Sequence, residues 1–221
     1  MPLTAQSEFT PEEVRELRGG WVPLLARVGQ PAGLASGGEP AAAWPRARVD
    51  SVPALRLFLR AYVTEILLPL ELPAIARAFA QAQRNELREL LATTLALGGE
   101  ARLREFAAAS QRVGRAQLQR LRPLTDQRFA RRFREAVEQG RALPWHTVVF
   151  GVTLAIYSLP LRPGLLHYAR QMLGGFLAAA PPLPPLDASA AEEMLAELCG
   201  DLSAGVEAVL AANGGGELRV V

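Results

Sequence analysis

Lysine is absent from this chain of 221 residues; every one of its 24 basic side chains is arginine. That removes Schiff-base chemistry and the lysine of a phosphate-binding loop. Cysteine is nearly absent too: Cys199 stands alone, so no intramolecular disulfide can form. Aromatic residues are 6% of the chain against 50% apolar overall, so alanine and leucine carry the core. That composition suits close-packed helices and fits a β-sandwich poorly. The only histidines are His146 and His167, and neither has a carboxylate at ligand spacing beside it. There is no HExxH, no CxxC and no phosphate-binding loop, and the Gly-Gly pairs at 19–20, 37–38 and 98–99 lack the pattern of a nucleotide cradle. The N-terminal MPLTAQSEFTPEEV has no basic region followed by an apolar one, so it is not read as a secretory signal and the expected location is the cytoplasm. No catalytic constellation can be assembled, which points to a binding or scaffolding protein, not an enzyme.

The net charge of +2 hides an uneven distribution. Residues 101 to 141 carry eleven arginines against Glu105, Asp126, Glu135 and Glu138. Residues 187 to 221 carry seven acids against Arg219 alone. A basic patch can meet nucleic acid or an acidic protein surface. No aromatic stacking series or nucleic-acid module accompanies it, which favours the acidic protein partner. A helical nucleic-acid-associated or regulatory protein is the alternative.

The stretch His146 to Ala180 organises the rest. It reads as two apolar helices joined by a turn at Leu159-Pro160-Leu161-Arg162-Pro163, because proline lacks the donor of an inner helical turn and restrains the residue before it. Gly151, Gly174 and Gly175 lie inside these helices. Each costs about 1 kcal/mol relative to alanine, which close approach of another backbone would offset. A membrane hairpin would need an apolar run of about 20 residues per span. Here the run after His146 is short, and Arg162, His167, Arg170 and Gln171 interrupt the second segment. Val148, Val149, Phe150, Val152 and Thr153 would also suit a strand, but segment length and the pattern that follows favour helix. The expected object is a soluble core hairpin with other helices around it.

Around it, Thr10-Pro11-Glu12-Glu13 starts a helix running to about Val28. Residues 29–49 are loop-rich. Asp50 or Ser51 caps a helix with Pro53 in its first turn, and Leu70-Glu71-Leu72-Pro73 marks a junction. One long helix then runs to about Leu95 and ends at Gly98 and Gly99; Glu100 to Leu121 and Asp126 to Glu138 follow. Pro181 to Pro185 break the chain after the hairpin, and Asp187 or Ser189 caps a final long helix. The fold class is all-α: a single domain over 1–221, with about seven to ten helices around the apolar hairpin, and flexible ends at 1–10 and 213–221.

Several phrases, in order, resemble the urease accessory protein UreF family. His146 opens a segment carrying Phe150-Gly151; an LPL turn follows at Leu159 to Leu161; the next helix reads Leu165 to Tyr168 and ends in small residues at Ala180. Upstream, Leu70-Glu71-Leu72-Pro73 looks like the family's acidic-Leu-Pro junction, and Gln111-Arg112-Val113-Gly114-Arg115 looks like its RxMGRxLL helix. The chain departs from the family pattern at Gln30 to Glu39, at Asp187 to Glu192 and in the tail Gly214 to Val221.

The resemblance implies a non-enzymatic chaperone for nickel insertion into urease. It implies a homodimer that binds UreD (also named UreH), recruits the GTPase UreG and docks on apo-urease. Nickel would pass through that complex, with no cofactor held stably by this chain. The residues it singles out for an interface or its support are Glu71, Arg112, Gly114, Arg115, His146, Gly151, His167 and Tyr168. No catalytic, cofactor or metal residues are expected.

Overall fold

The computed structural model describes residues 49–121, 128–180, 183–200 and 202–214, and among them every regular element is helical. The expected helix from Thr10 to about Val28, the stretch 29–48 and the tail beyond Gly214 lie outside the described residues.

Helix α1 (Val52–Tyr62) begins where the sequence puts it. The Ser51 hydroxyl accepts from the Ala54 N–H at 3.3 Å, and Pro53 sits in the first turn. At the expected junction the helix widens instead of breaking. Val63–Glu71 is π-helical and runs straight into α2 (Leu72–Gln83), with the Leu72 N–H bonded to the Leu67 carbonyl five residues back. Pro69 lies inside this segment and has no N–H to give. A tight α turn would clash with its ring, and the wider i→i+5 turn relieves that.

The long helix expected to reach Leu95 is two helices. Asn85 takes a positive φ of 57°, a conformation asparagine tolerates, and the chain turns there into α3 (Leu87–Gly99). No glycine or proline marks the turn, so the pattern reads straight through it. The helix expected from Glu100 starts later: a 3₁₀ turn at Ala101–Leu103 precedes α4 (Ala107–Arg120). Then come α5 (Arg128–Glu138), closed by Gly140 at φ 71°, and the hairpin helices α6 (His146–Ile156) and α7 (Leu161–Ala179). The strand alternative for 148–153 is excluded; those residues are in α6. The expected final helix is also two, α8 (Ala188–Gly200) and α9 (Leu202–Gly214). Asp187 caps α8, its Oδ1 accepting from the Ala190 N–H at 2.8 Å. The tail expected to fray from residue 213 is helical as far as Gly214, and the Asn213 amide donates to the Val209 carbonyl at 2.7 Å.

All of these helices form one bundle, and α6 is its centre. His146 to Leu154 are buried without interruption, so α6 is enclosed on every side. It packs most closely on α2 and next on α4, and it meets α7 where the His146 and Phe150 rings lie against Tyr168. Two glycines permit this. A Cβ on Gly151 would stand 2.4 Å from the Ile75 carbonyl and 3.0 Å from the Ala78 Cβ, both on α2. A Cβ on Gly114 of α4 would stand 2.0 Å from the Pro144 carbonyl, just before α6. Polar bonds fix the same end of α6. The Trp145 indole donates to the Thr94 carbonyl at 3.1 Å, and the His146 N–H, an orphan donor of the first turn, gives to the Ser110 hydroxyl at 3.1 Å.

At the surface, the acidic C-terminal helices are paired onto arginines of earlier ones. Glu197 of α8 takes Arg56 and Arg60 of α1, Glu192 takes Arg170 of α7, and Glu207 of α9 takes Arg162 of α7. No helix among the described residues is long and apolar enough to cross a membrane.

Gly151→Ala should destabilise the fold by about 1–3 kcal/mol, because backbone and not a flexible side chain fills the space and overpacking outweighs the gain in helix propensity. Gly174→Ala is the counterpart: its Cβ would meet only Leu195 at 3.7 Å. It should be neutral or stabilising by up to about 1 kcal/mol. Urea denaturation midpoints of the two variants check the pair, and equal loss in both would refute the close-approach account.

Candidate functional site

The π segment brings together residues that an α-helix would separate. At about 100° per residue, positions nine apart in an α-helix face opposite ways. With the wider turn between them, the Tyr62 hydroxyl instead donates to Glu71 Oε2 at 2.5 Å. Tyr168 of α7 lies near the same carboxyl and, like Tyr62, favours its charged form. Glu71 is only 4% exposed, and among the described residues no cation acts on it. Burial pushes its carboxyl up to about 7, against the opposing pull of the two phenols. Both phenols are raised well above their ordinary value, first by burial and then by the carboxyl.

Aromatic rings close over this cluster. Tyr62 lies against Phe176 at 4.9 Å and Phe106 at 5.7 Å between ring centroids. Tyr168 lies against Phe150 at 5.3 Å and His146 at 5.1 Å. His146 is 3% exposed, and its Nε2 has no hydrogen-bond partner among the described residues. Burial lowers its pKa to about 3, so the ring is neutral at ordinary pH. Glu71, Tyr168 and His146 therefore meet, as a sealed polar core and not an open reaction site.

The other residues singled out from sequence fall elsewhere. Gly114 and Gly151 flank α6 as close-approach positions. His167 is half-buried on α7. Arg112 and Arg115 are exposed on the outer face of α4, beside a surface recess of about 380 Å³ with Gln111 and Gln119 on its wall. Arg115 also borders a groove of about 200 Å³ shared with Arg134 and Val137 of α5. The structure thus places two sets: a buried set around Glu71 and an exposed basic set on α4. Cys199 is half-buried, and burial pushes its thiol up. Tyr62 was missed from sequence, since helical periodicity counts it as one more apolar-face residue. Pro69 inside an otherwise helical run is the signal that could have found it.

Among the described residues, no group of three or more His, Cys, Asp or Glu side chains converges to hold a metal ion. The described residues thus form an all-helical bundle with its ionisable cluster buried and Arg112 and Arg115 on its outer face. The UreF family profile matches residues 49–199, and the chain belongs to the UreF family. It is therefore a non-catalytic accessory protein of urease maturation. A search of curated proteins returned no match.

The His146 environment makes a pH prediction. Its folded-state pKa is depressed, so its contribution to stability is complete above the unfolded value of 6.5 and is lost as pH falls toward about 3. His146→Gln, which cannot titrate, should flatten the fall in denaturation midpoint between pH 7 and pH 4. An unchanged slope would show that His146 is not held neutral.

Proposed function

We propose that this protein is a scaffold that assembles UreD (UreH) and the GTPase UreG on apo-urease for GTP-dependent nickel insertion. The observation that carries this reading is the family match over 49–199, which takes in the whole of the α1–α7 core including the hairpin. The architecture supports it. Nothing in the buried cluster is open to a substrate, whereas α4 carries an exposed arginine face suited to an acidic protein surface. In this reading the GTPase performs the catalysis, nickel is cargo of the complex, and this chain positions its partners in the cytoplasm, as a homodimer.

The interface assignments follow the same division. Arg112 and Arg115 contact a partner directly. Glu71, His146, His167 and Tyr168 hold α7 and the hairpin in the shape the partners meet, and Gly114 and Gly151 hold α6 in register with its neighbours.

Co-expression with UreD and UreG followed by size-exclusion chromatography tests the assembly: the three proteins should elute together, and a chain that elutes alone would refute the reading. Arg112→Ala with Arg115→Ala should change the free energy of unfolding by no more than about 0.5 kcal/mol, as for exposed positions. The same double variant should reduce the co-eluting complex at least tenfold in affinity. Unchanged co-elution would remove α4 from the interface.

A further inference from the structure

Helix α4 has two faces of different chemistry, and its 14 residues hold no acid. Val113, Gly114 and Gln117 are buried, with Gly114 against the chain just before α6. At about 100° per residue, Ala108, Gln111, Arg112, Arg115, Ala116 and Gln119 fall on the opposite side, within about 140° of arc. These six line one recess, and all but the half-buried Gln111 are exposed. From Ala108 to Gln119 the face is about 16 Å long, or about three turns of helix. Ala108 and Ala116 end at Cβ, so another helix can lie close to the α4 backbone between the longer side chains. Arg112 and Arg115 are three residues apart and so are neighbours on the helix surface. Their guanidinium forks match two carboxylates one turn apart on a facing helix.

The charges select the occupant. Arg115 forms no ion pair among the described residues, so its guanidinium is open to a partner. Across the groove that Arg115 shares with α5, Arg134 lies 3.8 Å from Glu138. A phosphate backbone passing from α4 to α5 would meet the Glu138 carboxylate, which counts against nucleic acid. A second copy of this chain is disfavoured as well. Two copies meeting here about a twofold axis would set the same arginines against one another. The homodimer proposed above must therefore use another face. What remains is an acidic segment of a different protein, with the width of one helix.

We infer that the outer face of α4 is a seam for a single acidic helix of a partner protein, which lies along Ala108 and Ala116 and sets two carboxylates, one turn apart, on Arg112 and Arg115. The inference rests on the scaffold reading above and adds the chemistry and shape of what the partner offers. The amides of Gln111 and Gln119, near the two ends of the seam, can donate to or accept from polar groups flanking the carboxylates. Recognition then has two parts that can be separated by experiment: charge pairing at the arginines and close approach over the alanines.

The probe is a stapled, alanine-rich helical peptide of about three turns with glutamates at i and i+4, titrated into the full chain and followed by NMR. The Ala108 and Ala116 methyl signals and the Arg115 side-chain N–H signals should shift together and saturate. Arg112→Glu with Arg115→Glu should weaken binding at least tenfold. The same peptide with lysines in place of the glutamates should then bind that variant, which also shows that the variant is folded. Ala116→Trp keeps every charge and blocks the approach, so it too should weaken binding at least tenfold. Shifts confined to other helices overturn the seam. So does an Ala116→Trp variant that binds as the parent does, equal binding of a peptide with its glutamates on opposite faces, or tighter binding of duplex DNA at physiological salt. The titration contains no urease protein, so its failure beside an intact three-protein co-elution removes the seam alone. A chain that takes the peptide but elutes alone keeps the seam and loses the scaffold reading.

Discussion

The contact between α6 and α2 across Gly151 is the constraint on which the bundle depends. With no side chain at that position, the two helices approach until the Gly151 Cα faces the Ile75 carbonyl. Every other neighbour of α6 is then set at the distance its own side chains dictate. The Gly114 approach on the other side brings α4 to the start of α6 and lets Ser110 reach the His146 N–H. A helix enclosed this tightly needs apolar side chains all round, and His146 to Leu154 supply them with only His146, Thr147 and Thr153 as polar exceptions.

The π segment is the second constraint. It follows from Pro69, which cannot take part in a regular α turn, and it rotates Glu71 onto the side of Tyr62. Glu71 is then buried among aromatic rings with phenols as its partners, an arrangement that is costly for a charge and acceptable for an acid. π turns are often found where function demands a residue out of helical phase. Here the displaced residue is an acid that ties the end of the π segment back to α1 through Tyr62. The bundle's polar core and its most irregular backbone are thus one feature, and both derive from a single proline.

Much of the architecture could be read from the residues because punctuation and periodicity agreed. Ser51 with Pro53 fixed one start, Pro160 one turn, Gly140 one end, and the apolar run after His146 identified the central helix. The turn at Asn85 was hidden because its neighbours are good helix formers and only its φ of 57° reveals it. The partnership of Tyr62 with Glu71 was hidden for a different reason: α-helical phase places them on opposite faces, and Pro69 is the one sign in the sequence that the helix widens between them. Glu71, His146 and Tyr168 were each identifiable singly, as polar groups within apolar stretches. Their meeting was not, because it depends on three helices converging. The positions of Arg112 and Arg115 were legible, since a helix rich in arginine exposes them whatever its neighbours do.

The ion pairs of α8 and α9 have a consequence for how the molecule looks from a distance. Glu192, Glu197 and Glu207 are each matched by arginines of α1 or α7, so the negative charge of the C-terminal helices is largely balanced at short range. Surface pairs of this kind contribute little to stability. They do shape the far field, because a balanced pair fades within a few ångströms while an unmatched charge carries about one Debye length. An approaching macromolecule therefore senses little of these three carboxylates beyond a few ångströms. Held in pairs, the three carboxylates act on a partner only at contact distance, by hydrogen bonding and not by steering.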